Sequence, residues 1–166
     1  MKNKTFTITA TILATQGQRF LNLIVDLFFI YIIVLSVATT IILIADVTGH
    51  FSVSTWVETM SWTAILGYSL VILFLYYFLT EVYFSRTLAK FVTRTVVVQK
   101  EGTKPTIKMI FIRTICRFIP FEPLSYLGNA TRGWHDSISG TYVVKKNKLA
   151  KNMKYFYAPE EFGTIE

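Results

Sequence analysis

The sequence predicts an all-α membrane protein: a two-helix transmembrane hairpin, a short re-entrant or interfacial basic helix and a small cytoplasmic β element. Three observations predict this class. Of 166 residues, 52% are hydrophobic and only 16% are charged, whereas a soluble domain carries about 25% charged residues. Two stretches, 27–45 and 62–80, are apolar and contain no charge. Finally, no Lys or Arg lies between Arg19 and Arg86, although the net charge is +7.

The distribution of the basic residues shows whether the positive charge indicates nucleic-acid binding or a membrane protein. All 17 Lys and Arg fall in two blocks, one up to Arg19 and one from Arg86 to Lys154. A nucleic-acid-binding protein has no reason to keep the residues between these blocks free of cations, whereas a membrane hairpin does. We therefore expect a lipid bilayer, and no nucleic acid, as partner. The single cysteine, Cys116, excludes an internal disulfide.

The two apolar stretches have the length of transmembrane helices. A helix over 21–45 would be about 37 Å long at ~1.5 Å per residue, which crosses a ~30 Å hydrocarbon core with some tilt. The second helix is predicted over 62–83. Two buried helices of a soluble protein are the alternative, but no amphipathic helices are available to cover them.

The basic flanks set the predicted orientation. The loop 46–61 holds no Lys or Arg, whereas both outer flanks of the hairpin are basic. The positive-inside rule therefore places the segment 1–15 and the long C-terminal region in the cytoplasm. No small-residue cleavage site follows the first apolar stretch, so the N-terminus does not read as a cleavable signal peptide. The predicted location is a cell membrane, specifically the bacterial inner membrane.

After the hairpin the sequence alternates between β-branched and basic segments. Residues 94–99 and 140–145 are rich in β-branched side chains and could pair as a small cytoplasmic sheet. A basic helix is predicted over 107–119, and Pro120 ends it after thirteen residues. Runs of 10–14 apolar residues are more often re-entrant, interfacial or buried than spanning, so these three placements remain open.

The remaining C-terminal parts are predicted from their composition. Residues 121–136 are interrupted by Pro and Gly, which predicts a segment running along the membrane surface. The tail 145–166 begins with five lysines in ten residues. This composition favours a solvated, partly disordered end near anionic headgroups.

The sequence contains no enzyme motif. A Gly-rich phosphate loop, HExxH, CxxC and GxSxG are all missing from it,. His50 and His135 fall on opposite sides of the predicted membrane, so they cannot share a metal ion. We expect a non-enzyme without cofactor or metal.

The charges near the apolar stretches are the candidate functional residues. Asp26 lies inside the first predicted helix, where an ionisable group should face protein or water rather than lipid. Arg19 precedes it by seven residues, which places both on nearly the same helix face but roughly 10 Å apart. A third group between them is therefore expected, and Arg113 or Arg117 of the basic helix is the natural candidate.

These residues carry a resemblance to the RDD family of small integral membrane proteins, which is named for one Arg and two Asp. The matching residues are Arg19 and Asp26 in the first apolar helix and Asp136 in RGWHDSISG. The stretch 81–90, with Glu81, and the pair Arg113 and Arg117 support the resemblance. The implied domain covers 16–144. Many members have a longer third hydrophobic segment, whereas Pro120 shortens it here.

Two roles for these charges remain open. Asp26 could be the titrating carboxylate of a proton or cation relay, with the arginines setting its pKa. The charges could instead form a buried ion-pair network that fixes how the basic helix docks on the hairpin. Asp136 would then cap a helix or bind Arg132 or Arg113. Glu81 would pair with Arg86 or Lys90 at helical spacing.

The expected function is that of a membrane accessory or assembly protein, because two spans cannot enclose a transport pathway alone. The alternative is a small ion transporter or channel subunit. The resemblance implies cation–proton antiport for some family members, here as an oligomer. A third option is a lipid binder that uses Arg113, Arg117 and the lysine-rich tail. The expected partners are anionic headgroups and either further copies of the chain or another membrane protein.

Overall fold

The computed structural model describes residues 6–120 and 132–157, and these ranges are mostly helical. The first half forms a 3₁₀ turn and four helices: Ala10–Ile12, then α1 Gln16–Val47, α2 Phe51–Glu58, α3 Trp62–Phe84 and α4 Leu88–Val92. The second half holds two short strands and three helices: β1 Thr95–Val98, α5 Ile107–Cys116, α6 Trp134–Ser139, β2 Tyr142–Lys145 and α7 Lys146–Tyr157.

Helices α1 and α3 correspond to the two predicted spans. Within the described residues they are the two helices long and apolar enough to cross a membrane. Helix α1 begins five residues before the predicted start, because Thr15 and Gln18 form a capping box that satisfies free N–H groups of the first turn,. Ser61 accepts a hydrogen bond from Ala64 N and starts α3 at the predicted residue,.

Two contacts show that α1 and α3 run antiparallel. The Tyr76 hydroxyl donates to Asp26 Oδ1 at 2.7 Å. The Tyr68 hydroxyl donates to the Val34 carbonyl at 3.3 Å. Eight residues forward along α1 thus correspond to eight residues backward along α3. Residues near 81 of α3 therefore lie level with residues near 21 of α1.

The predicted sheet is present as two antiparallel strands, with Thr95 opposite Lys145 and Val98 opposite Tyr142. Two strands alone are marginally stable. Here the N-terminal segment adds a bridge from Leu13 to Val144. An apolar cluster then covers the strands; its buried members are Phe6, Ile12, Val98, Val144 and Leu149.

The beginning of the lysine-rich tail is ordered, contrary to the expectation of a partly disordered end. Residues 146–157 form α7, and its Leu149 is buried in the apolar cluster while Met153 and Phe156 pack against it. The spacing of these three side chains, three and four residues apart, places them on one helix face. The lysines lie mostly on the exposed side of the same helix. The rest of the tail, 158–166, lies outside the described residues.

The predicted surface segment 121–136 is only partly described, because 121–131 lies outside the described residues. Its last two residues do not lie on the surface: His135 and Asp136 belong to α6 and are almost fully buried. Helix α6 ends at Gly140, which adopts a left-handed conformation with φ 69°, a conformation that glycine takes without strain. Neither α6 nor α2, which lies within the loop 46–61, was predicted from the sequence.

The basic helix α5 turns its charge inward. It begins after Thr106, whose side chain accepts from Met109 N, and it ends at Cys116, three residues before the predicted end. Arg113 and Thr114 are 0% exposed. The exposed large apolar residues of this segment are Ile107, Phe111, Ile115, Phe118 and Ile119. A helix that buries an arginine and exposes such a stripe is suited to apolar surroundings.

Candidate functional site

Seven buried charged side chains meet at one end of the α1–α3 pair, and we call them the charge network. They come from five helices and the turn that follows α5. The members are Arg19 and Asp26 of α1, Glu81 of α3, Lys90 of α4, Arg113 of α5, Arg117 at its C-terminal cap and Asp136 of α6. All six charged residues predicted from the sequence belong to it, and Lys90 joins them.

Asp136 joins α6 to both α1 and α5. Its carboxylate accepts from Arg19 Nη1 and from Arg113 Nη1 in close ion pairs. His135 Nε2 lies 3.2 Å from Oδ1. Burial alone would raise the pKa of the Asp136 carboxyl. Three neighbours outweigh burial, Arg113 most strongly, then His135, which also hydrogen-bonds the carboxylate, and then Arg19, and they hold this pKa well below its usual value,.

Glu81 is the second centre of the charge network. It is 0% exposed and contacts three cations. Lys90 Nζ donates to Oε1 at 2.6 Å, Arg113 Nε lies 2.9 Å from Oε2, and Arg117 Nη2 donates to Oε1 at 3.3 Å. The Arg117 guanidinium also stacks over the Tyr77 ring at 4.1 Å, a favourable cation–π geometry. Glu81 therefore holds α4 and α5 against α3.

Asp26 binds neutral donors instead of the expected arginine. Its carboxylate accepts from the Tyr76 hydroxyl at 2.7 Å, the Thr87 hydroxyl at 2.7 Å and the Ala89 N–H at 3.1 Å. The last two contacts make Asp26 a cap for the start of α4, a role that the side chain of the N-cap residue Thr87 does not fill itself,.

The expectation that Arg113 or Arg117 would sit between Arg19 and Asp26 is wrong. Both arginines bind Glu81, because α5 packs on α3. The group between Arg19 and Asp26 is Asn22, whose side chain bonds Thr93 at 2.7 Å and Thr95 at 3.3 Å. Asn22 stands three residues after Arg19 and four before Asp26, so helical spacing was the signal that could have found it.

Three other predicted pairings are resolved by the structure. Of the two partners named for Glu81, Lys90 binds it, whereas Arg86 stands over the Phe91 ring at 4.2 Å. Arg132 does not bind the Asp136 carboxylate. It donates instead to the backbone carbonyls of Asp136 and Thr141 at 2.7 and 2.9 Å.

Lys90 is almost fully buried within the charge network. Burial, together with the nearby Arg113 and Arg117, lowers its pKa to about 8 against the opposing effect of the Glu81 carboxylate,. Because this pKa lies below the unfolded value of 10.5, the unfolded chain binds more protons between about pH 8 and 10.5. Stability from this group therefore increases as the pH rises through that window.

The outside of the protein is apolar at the depth of the charge network. Phe20, Leu21 and Ile24 alternate with the buried polar residues of α1 and are 44–49% exposed. A water-soluble protein would place the charges outside and these side chains inside. The polar interior and apolar exterior at one level fit an environment of lipid.

Among the described residues no group of three or more His, Cys, Asp or Glu is placed to hold a metal ion. The carboxylates of the charge network face cations or hydrogen-bond donors. Chemically, the arrangement can bind helices to one another and can polarise a small molecule or ion bound between them. Nothing in these contacts positions a nucleophile beside a base.

The comparisons with known proteins identify the family of this chain. The sequence model of the RDD family matches residues 13–151, which confirms the resemblance carried by Arg19, Asp26 and Asp136. Neither the curated proteins nor the solved structures include a significant match. With most of its length matched by the family and with two long apolar helices, the chain belongs to the RDD family and is a membrane protein.

Proposed function

We propose that this chain crosses a bacterial inner membrane twice and acts as an accessory or assembly protein without enzymatic activity. In this proposal α1 and α3 span the bilayer, and the small sheet with α7 lies in the cytoplasm. The charge network docks α4, α5 and α6 on the spans just below the cytoplasmic interface. The docked unit offers a fixed surface to further copies of the chain or to another membrane protein.

The charge pattern supports this orientation. The α2 end of the helix pair carries Asp46 and Glu58 and no Lys or Arg, whereas α7 alone carries four lysines. The cytoplasmic leaflet attracts such basic segments, by about 1 kcal/mol for each Lys or Arg near the surface. Trp56 and Trp62, both well exposed near the α2 end, suit the opposite membrane–water interface.

The contacts of α5 support a re-entrant placement. Lys104 Nζ, before the helix, donates to the Tyr83 carbonyl at 3.3 Å. Further along, the Phe111 ring lies 6.1 and 6.2 Å from those of Phe74 and Phe78, and Phe118 lies 6.4 Å from Phe74. The segment thus advances toward the uncharged part of α3 as it proceeds. Asp136 then returns the chain to the charge network.

One observation carries the accessory role in preference to transport. Each of the three carboxylates in the charge network, Asp26, Glu81 and Asp136, already contacts at least three donors or cations of the protein. A transported cation needs a carboxylate that gives up its protein partners at modest cost. Breaking the buried charge pairs of Glu81 or Asp136 costs about 3–5 kcal/mol, and leaving the buried donors of Asp26 without an acceptor costs about 1–3 kcal/mol, so these carboxylates are suited to docking.

The accessory role predicts that the purified protein carries no proton or sodium flux. Proteoliposomes with an internal pH dye are given a sodium or a proton gradient, and the rate should equal that of empty liposomes. Asp26→Asn should leave this rate unchanged but lower the free energy of unfolding by about 1–3 kcal/mol, because buried donors lose their charged acceptor. Thr40→Val, which removes an exposed hydroxyl of α1, is the stability control. Protein-dependent flux that Asp26→Asn abolishes would support the transporter instead.

The proposed orientation predicts the side from which each end of the chain reacts. In a Cys116→Ala background, Ser52→Cys on α2 should react with a membrane-impermeant maleimide in intact cells. Asn147→Cys on α7 should react only in inverted membrane vesicles. Both positions are exposed, so the comparison reports sidedness and not burial. Labelling of both positions from the same side would contradict a double crossing.

A further inference from the structure

A small cavity lies inside the charge network. Its volume is about 20 Å³, which is slightly more than one water-sized probe of roughly 10–15 Å³ requires. Most of its lining is charged or polar: Arg19, Asn22, Asp26, Lys90, Arg113, Arg117, His135 and Asp136, with Leu23 and Val143. A cavity this polar does not stay empty.

Arg113 supplies a free donor to this cavity. Its side chain is 0% exposed. Its Nη1 binds Asp136 and Thr141, and its Nε pairs with Glu81. The third nitrogen, Nη2, is buried without a hydrogen-bond partner among the described residues. A buried guanidinium N–H left without an acceptor costs about 1–3 kcal/mol or more, so an acceptor in the cavity would be strongly favoured.

The charge balance decides what kind of acceptor fits. The charge network contains four cations and three carboxylates, and the described contacts bring no further carboxylate to it. These four cations and three carboxylates leave one positive charge over, in a region where all seven side chains are at most 8% exposed. Burying an unbalanced charge is costly. A cation in the cavity would increase the imbalance, whereas a monovalent anion would remove it.

We propose that the cavity binds one chloride ion, with Arg113 Nη2 as a donor and the surplus positive charge as its counter-charge. The cavity volume excludes tetrahedral oxyanions such as phosphate, whose four oxygens need several times this space. Chloride is spherical and only somewhat larger than a water molecule. In this role chloride completes the charge network and stabilises the docking of α5 and α6. The proposal goes beyond the accessory role and does not depend on it.

Thermal unfolding of the full chain in detergent tests this proposal. At pH 7 and constant ionic strength, sodium gluconate is replaced stepwise by sodium chloride. The Tm should rise along a saturation curve, by about 3–6 °C when chloride reaches a tenfold excess over its Kd. Sodium bromide should give the same curve shape, and bromide should give a single anomalous peak beside Arg113 in crystals.

Two substitutions in the protein remove the surplus positive charge without an anion. Asn22→Asp adds a carboxylate to the cavity wall at nearly unchanged size, and Lys90→Met removes a cation while Glu81 keeps two arginines. Either variant should lose the chloride dependence of Tm. Asn147→Asp, which adds the same charge on exposed α7, should keep it.

Two outcomes would overturn the proposal. An identical wild-type Tm in chloride and gluconate at every concentration means that the cavity holds water. An undiminished chloride response in both Asn22→Asp and Lys90→Met means that the anion binds elsewhere on the protein. If Asn22→Asp does not fold, Lys90→Met decides alone. A response lost in either folded variant and kept in Asn147→Asp supports the site.

Discussion

Glu81→Gln is expected to lower the free energy of unfolding by about 3–5 kcal/mol, which is enough to prevent accumulation of the folded protein in the membrane. The amide has nearly the shape of the carboxylate, so packing is preserved and charge is removed. Lys90, Arg113 and Arg117 would then share a fully buried site without their common counter-charge. The measurement is the Tm in detergent together with the amount of protein in isolated membranes.

The control for this prediction is Glu58→Gln, which makes the same chemical change on the exposed end of α2 and should shift the free energy of unfolding by no more than about 0.5 kcal/mol. Lys90→Met provides a second comparison. Because Glu81 keeps both arginines, this variant should be nearly neutral alone and should restore part of the stability lost in Glu81→Gln. A mild Glu81→Gln phenotype would mean that the three cations are solvated or that Lys90 is deprotonated.

The two long helices could be predicted because the length of an uncharged apolar stretch determines them. An uncharged apolar stretch of nineteen residues has few alternatives to a membrane helix, and the capping residue Ser61 marks the start of α3,. The start of α1 was placed too late, at residue 21, because Arg19 and the polar residues before it interrupt the apolar composition. Arg19 is nevertheless helical and buried, since Asp136 of α6 supplies its partner.

The members of the charge network could be named from the sequence, whereas most of their pairings could not. A charge in an apolar context must find a partner, so Arg19, Asp26 and Asp136 stand out. Which partner it finds depends on contacts between residues far apart in the chain: 117 positions separate Arg19 from Asp136, and 36 separate Glu81 from Arg117. The neutral donors of Asp26 carry no charge signal at all.

Short and mixed elements were the hardest to predict. Helix α7 was taken for a solvated tail because five lysines dominate the composition of 145–154, although Leu149, Met153 and Phe156 repeat at helical spacing. Hydrophobic periodicity is a better indicator than average composition in such a segment. Helix α6 is only six residues long, and its stability comes from contacts with α5 and α1 that no local pattern encodes.

Asp136→Asn is the second substitution with a large expected effect, again about 3–5 kcal/mol of unfolding free energy. The carboxylate is 0% exposed and connects α1, α5 and α6 through Arg19 and Arg113. An amide in its place offers one acceptor to two guanidinium groups and turns a donor toward one of them. The measurement is the Tm at pH 7, and Asp46→Asn on the exposed end of α1 is the matched control.

A double substitution separates charge from packing at Asp136. If the loss in Asp136→Asn comes from uncompensated arginines, then adding Arg19→Gln removes one of them and should recover about 1–3 kcal/mol, so that the two substitutions are not additive. If the loss came from packing, the two costs would simply add.

Acid titration gives an independent readout. Because the pKa of Asp136 is held well below its usual value, its stabilising contribution is present above about pH 4 and is lost as the pH falls further. Asp136→Asn should lack this part of the acid dependence, and an unchanged acid profile would place the stabilising charge elsewhere.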